Sequence, residues 1–88
     1  MLSKEDRATI QELGRKYSVS RVLLFGSSLT SDSAADVDLA VEGLAPASFF
    51  KFYSELLFAL SKPVDLLDLS VKSRFSQMVL REGVTVYG

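Results

Sequence analysis

The hydrophobic pattern divides the chain into seven elements. Ser3 can cap a helix running to about Tyr17, with Ile10, Leu13 and Tyr17 on one face and charges on the rest. Arg21–Phe25 is a short apolar run (Val22, Leu23, Leu24, Phe25) that stops at Gly26, which predicts a buried strand. Ser27–Ala35 is small and polar and predicts a loop. Asp36–Val41 alternates strictly: Val37, Leu39 and Val41 point one way, and Asp36, Asp38 and Ala40 the other. Pro46 suits the first turn of a second helix, with Phe49, Tyr53, Leu56, Leu57 and Leu60 as its buried stripe, ended by Lys62-Pro63. Val64–Leu69 is a further apolar strand carrying Asp65 and Asp68. Ser70 can cap a last helix with the stripe Phe75, Met78 and Val79, and Gly83 is expected in a left-handed conformation at its end. Val84–Tyr87 closes the chain as a strand.

The order α-β-loop-β-α-β-α-β predicts one sheet covered by helices, in a single α/β domain spanning residues 1–88. Strand directions do not follow from the pattern. A domain of this size has a modest core, so an oligomer, homomeric or heteromeric, or a partner protein is expected.

Composition narrows the chemistry. The net charge is −1, which offers no broad basic surface for nucleic acid. There is no Cys and no His, which rules out disulfides, zinc sites of the usual kind and histidine bases. A metal here has oxygen ligands, which favours Mg²⁺ or Mn²⁺. Met1–Glu5 lacks a signal-peptide core, and no apolar run approaches a membrane span, so a soluble cytoplasmic protein is expected.

Asp36 and Asp38 stand two apart on a strand, so both carboxylates leave one face, about 7 Å apart. Burying two like charges without a counter-charge is costly, and a divalent cation between them resolves the conflict. A bare Asp-x-Asp is also a common solvent face of an edge strand. Gly26-Ser27 can cradle phosphate, because glycine permits a sharp turn and Ser27 offers a hydroxyl and backbone N–H groups; an ordinary strand-ending turn is the alternative. Asp65 and Asp68 are three apart and point to opposite faces, so only one can join the first pair. Asp65, flanked by Val64 and Leu66, is expected to lie deeper and is favoured; Asp68 suits a solvent-exposed or capping role at the strand end.

In combination, Leu24–Ser28, Asp36–Val41 and Val64–Leu69 resemble the three motif segments of the minimal nucleotidyltransferases, a branch of the polymerase-β-like superfamily. Leu80–Tyr87 resembles the family's usual ending. The resemblance implies a nucleotidyltransferase fold, a small mixed sheet flanked by helices. It assigns Gly26, Ser27 and Ser28 to nucleotide binding. It assigns Asp36, Asp38 and Asp65 to two Mg²⁺ ions (Mn²⁺ as a substitute), with Asp65 also assisting the acceptor hydroxyl. The implied reaction moves AMP from ATP to an acceptor hydroxyl, with a HEPN-domain toxin as partner and acceptor and this chain as antitoxin.

The family commonly has Gly-Ser-Arg followed by a second Gly. Here Ser28 replaces the Arg, Ser31 stands where that Gly falls, and the loop before Asp36 is shorter. Ser cannot replace a phosphate-pairing cation. Two alternatives to catalysis therefore stay open: a module that neutralises a partner by contact alone, and a regulatory nucleotide-binding subunit. Among weaker signals, Phe49, Phe50, Phe52 and Tyr53 read mainly as core, with Phe52 off the stripe as a mark of protein contact. Lys72, Arg74 and Arg81 read as a solvated helix face.

Overall fold

The computed structural model describes residues 2–29 and 35–88. Helix α1 spans Lys4–Lys16, and the Ser3 hydroxyl accepts from the Asp6 N–H at 3.1 Å, satisfying an otherwise orphaned donor. Strand β1 is Arg21–Phe25 and β2 is Val37–Glu42. A 3₁₀ turn over Gly26–Leu29 follows β1. A second, Pro46–Ser48, leads into α2, Phe49–Ala59. Strand β3 is Val64–Asp68, α3 is Arg74–Glu82 and β4 is Val84–Tyr87.

The sheet order is β3-β2-β1-β4. Both neighbours of β1 run antiparallel to it, whereas β3 runs parallel to β2, so the sheet is mixed. The parallel pair requires a crossover, which α2 supplies. Val22, Leu24, Val37, Leu39, Val41, Val64 and Val86 form one core with Ile10 and Leu13 of α1 and Phe52 and Leu56 of α2. On the other face Leu23, Ala40 and Leu69 pack against Val79 of α3. The predicted alternation of β2 therefore holds, with Ala40 opposite Val37, Leu39 and Val41.

Several local expectations change. Phe52 is 0% exposed and at the centre of the core, not at a protein contact. Leu57, expected inside, is half exposed, and so is Phe75. The cap of α3 is Ser73 rather than Ser70: its hydroxyl accepts from the Ser76 N–H at 3.0 Å, while the Ser76 hydroxyl accepts from the Ser73 N–H at 2.8 Å. Gly83 is extended (φ −69°), not left-handed. Glycine is needed there for space, since a Cβ would lie 2.7 Å from the Val79 carbonyl oxygen.

Candidate active site

The strand register builds the site. Phe25 of β1 lies beside Asp38 of β2, and Asp38 lies beside Asp65 of β3, forming one lateral row across three strands. The next row on the same face is Leu23, Ala40 and Leu67. Helix α3 covers that apolar row through Val79 and Met78. It reaches the acidic row at Phe75, whose ring meets Phe25 edge-on at 5.7 Å between centroids. The carboxylates thus stand on a rigid sheet at the edge of the packed region.

The Asp38 carboxyl is pushed above its ordinary range. Partial burial is the main cause, followed by the charges of Asp65 and Asp36 and a side-chain hydrogen bond to Asp65. Two carboxylates can share a hydrogen bond only with a proton between them. A divalent cation in the proton's place would satisfy both, so the donor set fits a hard, oxygen-binding ion. Among the described residues no three acidic side chains form a ready-made metal cage.

Asp36 is not part of β2. It is exposed in the bend just before Val37, close enough for its charge to act on Asp38. The Val37 N–H donates to the Pro63 carbonyl at 2.9 Å, which ties this bend to the start of β3. Asp65 is exposed rather than deeper than Asp68, because β3 is the edge strand and its buried flanks face the other way. Asp68 pairs with Val41, far from the acidic row, and its Oδ1 accepts from the Ser70 N–H at 2.9 Å in a local turn. In this register Asp65, and not Asp68, is the neighbour of Asp38.

Gly26 closes the other side. Its φ is +72°, and a Cβ there would collide with Asp38 Oδ2. Only glycine lets the backbone turn this sharply against the carboxylate. The 3₁₀ turn brings Ser27 in immediately after. Ser31 and the side chain of Ser28 lie outside the described residues. Lys72, Arg74 and Arg81 are exposed.

A cavity of about 310 Å³ adjoins the pair, lined by Phe25, Asp38, Tyr53, Asp65, Leu66, Leu67 and Phe75. Its aromatic and leucine walls are absent from the motif-based reading. The alternation of β1 places Phe25 with Leu23, which is the sequence signal for one of them; Phe75 and Tyr53 come from distant helices and have no such signal. The Tyr53 hydroxyl donates to the Val64 carbonyl at 2.7 Å, fixing α2 to the strand that carries Asp65.

With this geometry the chain resembles known proteins. The polymerase β nucleotidyltransferase family model matches residues 8–88. A toxin–antitoxin solved with AMP-PNP is 29% identical, with 93% of this chain and 73% of that chain covered and a TM-score of 0.74. The MntA–HepT toxin–antitoxin is 26% identical over 98% of this chain and 73% of that one, with a TM-score of 0.73. A complex of a tri-AMPylated Shewanella oneidensis HEPN toxin with its MNT antitoxin gives 28% identity, 94% and 70% coverage and a TM-score of 0.71. No curated protein matches the sequence. The family match extends over almost the whole chain, and the four-stranded mixed sheet with its three helices agrees with it: the chain belongs to the polymerase β nucleotidyltransferase family.

Proposed function

We propose that this chain is a Mg²⁺-dependent nucleotidyltransferase that moves AMP from ATP to a hydroxyl of a HEPN-domain partner, and so acts as an antitoxin. The observation that carries the proposal is the close approach of Gly26 to Asp38 with Asp65 alongside. It sets the tight turn after β1 against a carboxylate pair. The similarity to an MNT antitoxin in complex with an AMPylated toxin supports the acceptor class.

Asp38 and Asp65 would hold the metal, with Asp36 contributing from the bend. Bound there, Mg²⁺ would neutralise charge developing on the α-phosphate and on departing pyrophosphate. The Gly26-Ser27 turn presents backbone N–H groups to the triphosphate. Asp65, on the edge strand, faces incoming acceptor and takes the proton from its hydroxyl. The acceptor oxygen bonds to the α-phosphorus, and the bond from that phosphorus to the bridging oxygen breaks. AMP stays on the acceptor and pyrophosphate leaves. The sheet holds the reacting groups in place, which is where most of such acceleration comes from.

The experiment is co-expression with a HEPN-domain protein, followed by incubation with α-labelled ATP. Label on the partner, lost in Asp65→Asn, is the expected result. Ser28 in place of a cationic residue favours a second reading, neutralisation by contact alone. That reading predicts a neutralised toxin carrying no label.

A further inference from the structure

Helix α2 is apolar on opposite sides. Phe52 and Leu56 face the core and are fully buried. At about 100° per residue, Phe50, Ser54 and Phe58 form the row diametrically opposite. Phe50 is 78% exposed and Phe58 93%, with half-exposed Leu57 beside them. An ordinary surface helix is polar on that side, and a helix apolar all round is normally buried. The groove beside this row, about 510 Å³, is lined by Tyr17, Phe50, Lys51, Ser54, Glu55 and Phe58. None of these residues lines the carboxylate cavity.

We propose that this crest pairs with the same crest of a second copy, the two α2 helices antiparallel about a two-fold axis through Ser54. The row is self-complementary, as a two-fold contact requires. Small Ser54 sits at the centre and lets the helices approach. The large rings lie four residues to either side, so each Phe50 meets the partner copy's Phe58. Charge fits the same axis. Lys51 forms no ion pair with another described residue. The symmetry brings it within roughly 3 Å, measured along the helix, of the level of the other copy's Glu55. Glu55 already holds Lys16 at 2.7 Å and the Tyr17 hydroxyl, so it is fixed in place to receive it. The four phenylalanines expose roughly 700 Å² between them. With Leu57 and the flanks, the contact approaches the lower bound of about 1,000 Å² for a specific interface. The dimer is therefore concentration-dependent.

The test exploits the absence of Cys in the chain. Ser54→Cys places two thiols across the axis, and mild oxidation should convert the protein to a disulfide-linked dimer. Ser70→Cys, exposed just beyond the end of β3, is the control and should form no disulfide-linked dimer. Sedimentation of the wild type should show monomer–dimer exchange across the micromolar range. Phe58→Asp should weaken association by at least about tenfold with its melting temperature unchanged or raised. A wild type that remains monomeric throughout that range, with Ser54→Cys no more readily cross-linked than the control, overturns the proposal. So does a monomer whose Phe58→Asp variant releases a co-expressed HEPN-domain protein, since the crest then belongs to that partner.

Discussion

The two faces of the sheet are covered unequally. Against one face lie α1 and α2, and every inward side chain of β2 there (Val37, Leu39, Val41) is buried. Against the other, among the described residues, the one α-helix is α3, nine residues long, which seals Leu23 and Ala40 and leaves Asp38 half-buried and Asp65 exposed. The difference separates two tasks. One face supplies stability through packing. The other presents charges whose mutual repulsion works against stability and whose use requires access. Strand β2 serves both, since Leu39 and Asp38 are consecutive, and the packed side makes the acidic side rigid.

Substitutions on the two faces should therefore differ in kind. Phe52→Ala empties the centre of the sealed face and should cost about 3–5 kcal/mol. A domain this small has little more than that in reserve, so thermal denaturation should show a large fraction unfolded at 37 °C. A melting temperature near that of the wild type would mean that α2 can detach without loss.

Asp38→Asn on the open face should lower AMP transfer by roughly 10²–10³-fold while leaving the fold intact. The sign of its effect on stability depends on pH. The folded-state pKa of Asp38 lies above the unfolded value, so folding is favoured by its protonation. The penalty of ionising it is fully present above the folded value and disappears as pH falls below the unfolded one. In metal-free protein, Asp38→Asn should therefore raise the melting temperature at neutral pH and have no such effect in strong acid. A fall at neutral pH would assign the carboxylate a structural role.

Gly26→Ala joins the two regions. Its left-handed backbone costs a non-glycine residue about 1–2 kcal/mol, and the added Cβ displaces the Asp38 carboxylate. Stability should fall modestly and nucleotide affinity more. Equal affinity for ATP in calorimetry would remove Gly26 from the phosphate turn. The smallest effect is expected of Asp68→Asn, within about 0.5 kcal/mol, because Asn can still accept from the Ser70 N–H. Transfer should be unchanged. A dead Asp68→Asn with an active Asp65→Asn would exchange their roles.

How far the sequence disclosed this arrangement depends on how local the determinant is. The bounds of α1, β1 and β4 follow from a cap, an apolar run ending in glycine, and a closing β-branched run. The order of Asp36, Asp38 and Asp65 along the chain is legible in the sequence; that Asp38 and Asp65 are neighbours, with Asp36 in the bend before β2, follows from the sheet register, which the pattern does not contain. In helix α2 the predicted stripe holds at Leu56 and Leu60, with Phe49 and Tyr53 packed against the core, but Phe52 is buried and Leu57 is not. Phe49, Phe50, Phe52 and Tyr53 fill nearly every position of the first turn, so periodicity does not select the stripe, and the 3₁₀ turn at Pro46 shifts the start. Asp65 was expected to be deep because its chain neighbours are apolar. Its exposure comes from the edge position of β3, which only sheet order reveals. Gly83 is a different case: the Val79 carbonyl that excludes a side chain there belongs to the helix turn that Gly83 caps, and the extended conformation of Gly83 leads straight into β4.

The central claim, that Asp38 and Asp65 form a divalent-cation site that holds ATP, is tested most directly by calorimetry of ATP binding in Mg²⁺ and in EDTA, on the wild type and on Asp38→Asn. The wild type should bind ATP in Mg²⁺ and lose most of its affinity in EDTA, and Asp38→Asn should bind weakly in both. Equal affinity in Mg²⁺ and EDTA, or an Asp38→Asn variant that binds as the wild type does, would contradict it.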